Sequence, residues 1–354
     1  MIKLLRTLKN SVKKVASVSN WRQVGEVLLP AIAYGDAAGL PVETKSAARI
    51  ARDYGHIDQL IASNENPFYV GEFESGTWSD DTQLSMAVAM SLARTRGFDL
   101  QDMANAHVEA YHDTPQITKP NGQSVKRGWG GSTTASIERY MNGVSPLQAG
   151  EPDGKGNGVI MKMAPLAYWH IARGVSDDTA YRESDQLTVM THANTTATVA
   201  TRVHHDVLNY LATRDYYGEE FADVAYWSAV MHEDTLGDMS HDTSSSLAFL
   251  ADVVHPMRRE AILEHTDGKG FFVPQTLAMA YAAFMANEGD FTDSIYEAVN
   301  LGGDTDSTAS IVAAMSLFTH RGIRSMPDDF EATQHYLMLR RTSREFARVA
   351  MRAS

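Results

Sequence analysis

From Val24 onward, apolar residues return at spacings of three and four, and this rhythm limits what the chain can fold into more than any other feature. It runs through 84–94, 99–111, 132–141, 161–173, 194–211, 222–232, 244–253, 275–286, 292–299, 308–318 and 331–350. A period near 3.6 gathers such residues on one face of a helix, whereas a half-buried strand needs strict alternation. Alternating stretches are scarce, so the spacing predicts an all-α fold. Clusters of Gly, Pro, Asn and Asp at 62–80, 113–131, 142–158, 233–243, 264–274 and 300–306 mark the loops. The 354 residues contain no fixed-period repeat, no low-complexity tract and no linker composition near residue 150. A single compact multi-helix domain over 23–354 is therefore expected.

The composition excludes several classes of function. The formal net charge of −13 argues against nucleic acid as a partner, which needs a basic face to displace counterions. It leaves room for a phosphate-bearing small ligand, because backbone N–H groups and metal ions supply local positive charge. The chain has no cysteine, which removes disulfides, thiolate catalysis, zinc–thiolate sites and iron–sulfur clusters, and fits a cytoplasmic location. No apolar run reaches the roughly 20 residues that span a bilayer, so stable membrane insertion is not expected. Neither HExxH nor GxSxG occurs, which leaves a zincin and a serine hydrolase of the α/β type unsupported.

Residues 1–22 differ from the rest. Lys3, Arg6, Lys9, Lys13, Lys14 and Arg22 precede the first acid, Glu26. Leu4, Leu5, Leu8, Val12 and Val15 fall on one side of a helical projection, with the cations mostly opposite. This basic amphipathic extension reads as a first helix packed on the body, as a docking arm for an acidic partner, or as a membrane-surface or targeting helix.

Two acidic clusters share one design. Gly76-Thr77-Trp78-Ser79-Asp80-Asp81-Thr82 leads into an apolar helix from Leu84, and Gly302-Gly303-Asp304-Thr305-Asp306-Ser307-Thr308 leads into another from Ile311. Carboxylate and hydroxyl oxygens suit hard cations such as Mg²⁺, Mn²⁺ or Ca²⁺. If the two helix starts face each other, Asp80, Asp81, Asp304 and Asp306 would bind two cations, about 3.5–4 Å apart in typical two-metal sites. Each cluster taken alone also reads as a helix N-cap. A third element, Tyr34-Gly35-Asp36-Ala37-Ala38-Gly39-Leu40-Pro41-Val42-Glu43, combines small residues with carboxylates around a Pro-marked helix end. It reads as a tightly packed helix terminus, or as one that gives Glu43 to the metals or the substrate.

Two glycine-rich segments, Arg127-Gly128-Trp129-Gly130-Gly131-Ser132-Thr133-Thr134 and Gly154-Lys155-Gly156-Asn157-Gly158, precede helical stretches. Their backbone N–H groups would approach an anion closely. Neither matches the P-loop or the dinucleotide fingerprint, and each also reads as a plain turn. Thr191-His192-Ala193-Asn194 reads as a loop ending in an N-cap.

Taken together and in order, these motifs resemble the ADP-ribosylglycohydrolase family, which includes dinitrogenase-reductase-activating glycohydrolase and the ADP-ribosyl-acceptor hydrolases. The matching pieces are GDAAGLPVE (35–43), GTWSDDTQLSMAVAMSL (76–92), GWGGSTTASIERYMNG (128–143), GNGVIMKMAPLAYW (156–169), THANTTATVA (191–200) and NLGGDTDSTASIVAAM (300–315). The resemblance implies an all-helical fold around a binuclear Mg²⁺ or Mn²⁺ centre. Ser79, Asp80 and Asp81 match one ligand group, and Asp304, Asp306 and Ser307 the other. Glu43 matches a glutamate beside the metals and the substrate. Gly130, Gly131 and Ser132, with Gly156, Asn157 and Gly158, match segments that surround ADP-ribose, and His192 matches a position near that pocket.

Serine replaces the frequent threonine at 79, and 307 is also serine where threonine occurs; both keep the hydroxyl oxygen. The loop at 128–132 lacks the acid some relatives carry, so a base from it is not expected. The activity implied is hydrolysis of the glycosidic bond between ADP-ribose and a protein side chain, arginine first, with Asp81 and Glu43 as the proton-handling groups. The family also suggests a form for the basic arm: residues 1–22 of an immunity protein, reaching into an ADP-ribosyltransferase toxin. The rival readings are a non-enzymatic ADP-ribose binder or toxin blocker, and a two-metal phosphatase.

Overall fold

The computed structural model describes residues 18–62, 73–214, 218–253, 259–319 and 322–352. The apolar rhythm becomes helix wherever it was read. It yields Asp80–Thr95, Leu100–Asp113, Gly131–Met141, Ala164–Arg173, Thr195–Thr213, Gly218–Leu236, Val273–Ala286, Phe291–Leu301, Thr305–Phe318 and Tyr336–Ala350. The stretch 244–253 divides into a short helix, Asp242–Leu247, and a 3₁₀ turn, Ala248–Asp252. The expected start at 331 moves to Tyr336, after a separate 3₁₀ turn at Phe330–Ala332.

Four helices lie outside the stretches read from the rhythm: Ala47–Tyr54, Pro146–Ala149, Asp177–Val189 and Arg259–Thr266. Asp177–Val189 shows why. Its buried residues are Ala180, Ser184, Leu187 and Thr188, which are mostly small or polar. The strand content among the described residues is one antiparallel hairpin, Gln116–Thr118 with Ser124–Lys126, within the expected loop 113–131. Among the described residues no helix is long and apolar enough to cross a membrane.

The Thr305–Phe318 helix is buried over its whole length, as suits a helix apolar all round. The first helix among the described residues, Val18–Gly39, lies directly on it. Cβ atoms at Gly35 and Gly39 would overlap the main chain of Ala309 and Thr305. Glycine at these two positions therefore brings the helices to backbone contact and holds the Glu43 end close to Asp306. The Thr305 hydroxyl spans the contact, donating to the Gly39 carbonyl at 2.8 Å.

Among the described residues this helix runs over Val18–Gly39 and so includes residue 22, the last residue of the expected basic extension. Trp21 is buried, stacking on Tyr168 at 4.9 Å and meeting Phe318 edge-on at 5.2 Å. These contacts attach the start of the helix to the body. The rest of the basic extension, and with it the docking arm, lies outside the described residues.

Candidate active site

Both acidic clusters sit at helix starts, and the fold sets those starts side by side. Asp81 is the joint. Its Oδ1 accepts from the Ser310 hydroxyl at 2.8 Å, and its Oδ2 from Ser307 at 3.2 Å and Ser79 at 3.4 Å. Ser79 and Asp304 occupy N-cap positions, yet neither side chain makes a capping bond. Capping, the plainer reading of these clusters, is therefore not what these two side chains do.

Asp36 meets the cap requirement of the first cluster from outside. Its carboxylate accepts from Ser79 N at 2.8 and 2.9 Å, from Thr82 N at 3.1 Å and from the Thr82 hydroxyl at 2.6 Å. It is the site residue that sequence reasoning missed. GDAAG offered it, but nothing in the spacing says that a carboxylate on one helix satisfies the start of another.

The second cluster is shaped by two glycines at φ of 76° and 78°, Gly302 and Gly303. A side chain at Gly303 would overlap the Lys269 carbonyl. Gly303 N donates to Lys45 O at 2.9 Å, and its carbonyl accepts from Thr44 N at 2.7 Å. The segment that carries Glu43 is thereby tied to the segment that carries Asp304. Asn157, expected among the substrate contacts, also has a supporting role. Its amide donates to Asp304 Oδ2 at 2.8 Å and to Gly270 O at 3.1 Å.

The result is a cavity of about 660 Å³ with the acids at one end. Glu43, Asp80, Asp81, Asp304, Asp306 and Ser307 line that end, while Ser79 stands behind Asp81 and outside the wall. The side wall comprises Gly130, Gly131 and Ser132 at the start of the Gly131–Met141 helix, then Gly156, Asn157 and Gly158, then His192. The expected substrate-contact residues of the two glycine segments, with His192, thus line the same cavity as Glu43. The chain reaches this wall by passing over Asp80: Gly128 has φ of 80°, and a Cβ there would overlap Asp80 Oδ1. Tyr111, Phe271 and the hairpin residues Lys119 and Lys126 also line the cavity, without a sequence signal of their own.

Electrostatics at the acid end are severe. Burial first, then the neighbouring Asp306, raises Asp36 to about 7. Burial and mutual repulsion lift Glu43, Asp80, Asp81 and Asp304 well above the carboxylate range, and burial raises Asp306. The buried Lys162 stands nearby: desolvation pushes it down to about 7, against the pull of Asp80. Such a set is stable as anions only if positive charge is supplied.

The donors fit a hard divalent cation. Glu43, Asp304 and Asp306 each offer an oxygen within 4.8 Å of the others, and Glu43 Oε2 is buried without a hydrogen-bond partner. Oxygen-only donors of this kind match Mg²⁺, Mn²⁺ or Ca²⁺ better than a soft metal.

A mostly helical body thus encloses a cavity with carboxylates, which suit a divalent cation, and with glycine-rich segments before a helix, which suit an anion. The profile of the ADP-ribosylglycohydrolase family matches residues 28–352, and the chain belongs to that family. Among curated relatives, it is 26% identical over 290 residues to an uncharacterised protein of Archaeoglobus fulgidus, covering 80% of this chain and 83% of that one. It is 23% identical over 305 residues to the ADP-ribosylarginine hydrolase Tri1 of Pseudomonas putida, covering 84% and 71%. It is also similar to the Escherichia coli protein YegU, at 24% over 302 residues, covering 80% and 83%. A solved structure described as an ADP-ribosylglycohydrolase-related protein complex shares the fold with a TM-score of 0.70 at 22% identity, over 94% of this chain and all of that one. Family membership supports hydrolysis of ADP-ribose linkages as the class of reaction.

Proposed function

We propose that the protein removes ADP-ribose from modified protein side chains, arginine first, by divalent-cation-dependent hydrolysis of the bond at C1 of the distal ribose. The observation that carries this reading is the unpartnered Glu43 oxygen beside Asp304 and Asp306 at the acid end of the cavity. The arginine preference rests on the distant relative named as an ADP-ribosylarginine hydrolase.

Asp80, Asp81, Asp304 and Asp306, with Ser79 and Ser307, would hold two Mg²⁺ or Mn²⁺ ions. Such ions lower the pKa of a bound water and offset charge on sugar oxygens. Glu43 and Asp81 are the groups for proton handling, and their surroundings differ. Both Asp81 oxygens already accept from serine hydroxyls, which suits an anchored ligand. Glu43 has an oxygen free to take a proton from the attacking water. As the C1–side-chain bond breaks, positive charge develops on the ribose, and the clustered carboxylates stabilise it. Backbone N–H groups at Gly130, Gly131 and Ser132 open a helix and suit the diphosphate.

The test is incubation with an ADP-ribosyl-arginine protein, with and without Mg²⁺ or Mn²⁺, followed by mass spectrometry. Loss of the ADP-ribose mass with release of intact ADP-ribose is expected, and a chelator should stop it. Asp80→Ala and Asp306→Ala should abolish turnover; near-normal release by either variant would contradict the assignment. Release of phosphate instead would indicate a two-metal phosphatase. Tight ADP-ribose binding without release, unaffected by chelator, would indicate a binding protein.

A further inference from the structure

Behind the glycine wall lies a buried row of polar side chains that the proposed reaction leaves unassigned. Lys162, Thr191 and His192 are all buried. Lys162 Nζ donates to the Thr191 hydroxyl at 3.3 Å, and that hydroxyl lies 2.9 Å from His192 Nδ1. Thr191 is held in place by its backbone, whose carbonyl accepts from Ser136 Oγ at 2.9 Å and from Glu151 N at 3.0 Å.

Donor counting assigns the protons. A lysine ammonium only donates, whereas a threonine hydroxyl has one proton to give and two lone pairs to accept with. With one lone pair facing Lys162, the hydroxyl proton needs an acceptor. His192 Nδ1 is the partner within reach. Nδ1 is therefore bare, and the ring proton sits on Nε2.

The Nε2 edge of the ring lies against the glycine loop, and His192 lines the cavity. A Cβ at Gly154 would lie 3.1 Å from His192 Cδ2, and one at Gly158 would lie 3.3 Å from Cε1 and 3.7 Å from Nε2. The alternating glycines thus let the loop lie close against the imidazole. No hydrogen bond within the described residues engages Nε2, although His192 lines the cavity.

We propose that Lys162 and Thr191 are positioning residues that lock His192 as the neutral Nε2–H tautomer, a fixed hydrogen-bond donor to an acceptor oxygen of the ligand. The identity of that oxygen, a phosphate or ribose oxygen of ADP-ribose, rests on the function proposed above; the tautomer does not. The ring acts as a donor and not as an acid, because burial, reinforced by the Lys162 charge, holds its pKa near 3.

The experiment is long-range ¹H–¹⁵N NMR of the full-length, ligand-free protein at pH 6, where the lysine is protonated and His192 is neutral. His192 should show a bare Nδ1 and a protonated Nε2. Thr191→Val should give a mixture or the opposite tautomer. Lys162→Met should give a mixture, and Lys162→Arg should restore the single form. A proton on Nδ1 in the unmodified protein overturns the proposal without any variant, as does an unchanged tautomer in Thr191→Val.

ADP-ribose binding by calorimetry is the second arm. Thr191→Val should bind roughly two- to tenfold more weakly, the net worth of one neutral hydrogen bond. Equal affinity there overturns the donor role. If the tautomers behave as stated and the unmodified protein fails to bind ADP-ribose, the lock stands and the functional reading falls.

Discussion

Replacing Gly39 by alanine tests how backbone contact builds the site. Gly39 ends the first helix at φ −84° and ψ −38°, a conformation alanine adopts freely. Helix propensity alone would make the variant more stable by about 0.5–1 kcal/mol. The structure implies the opposite sign. The new methyl would overlap the carbonyl carbon and oxygen of Thr305 and the amide nitrogen of Asp306, all main-chain atoms that no rotamer change can move. Relieving the overlap would require the helices to separate on the order of 1 Å. Overpacking of this kind costs about 1–3 kcal/mol, and loss of the Thr305 hydroxyl bond to the Gly39 carbonyl adds about 1 kcal/mol. A net destabilisation of roughly 1–3.5 kcal/mol is expected after the propensity gain. The same shift would draw Glu43 away from Asp306, so the stabilisation gained from saturating Mg²⁺ should shrink as well. Urea unfolding of both proteins, with and without Mg²⁺, measures both effects. Gly97→Ala is the control, because a methyl there meets nothing. A Gly39→Ala protein as stable as the parent, with full Mg²⁺ stabilisation, would refute the reasoning.

Three further outcomes are expected. Asn157→Ala frees Asp304 Oδ2 from its amide donor and should weaken cation affinity by about tenfold, as loss of a residue that orients a ligand commonly does; calorimetric titration with Mn²⁺ reads it. Without divalent cation, the raised carboxyl groups make the folded state hold protons that the unfolded chain has lost. Their contribution to stability should therefore be full below the ordinary carboxylate range and be lost as pH rises through it toward about 7, the value to which burial and Asp306 raise Asp36. Denaturation midpoints across that window, with chelator and then with Mg²⁺, should show the fall and its relief. Adding Mg²⁺ to chelator-treated protein in weak neutral buffer should also release protons, and a titration that records none would contradict the clustered, protonated acids.

Much of this protein can be read from its chain. The three-and-four rhythm located most helices, because burying one face of a helix needs that repeat whatever lies opposite. The motif order identified the family, and the acid clusters and glycine segments fell on one cavity. Helix Asp177–Val189 escaped because its buried face, Ala180, Ser184, Leu187 and Thr188, holds a single large apolar residue. The hairpin escaped because three-residue strands are too short to show alternation.

Local sequence thus determined the helices, their polar starts and the kinds of oxygen available for a cation. Tertiary structure alone decided that Asp81 lies against Ser307 and Ser310, that Asp36 satisfies the start of a distant helix, and that Lys162 reaches His192 through Thr191. Periodicity and propensity act over a few residues, whereas each of these bonds joins segments tens to hundreds of residues apart. Such partners are set by how closely helices approach one another, and here that approach depends on the absence of a Cβ at Gly35 and Gly39.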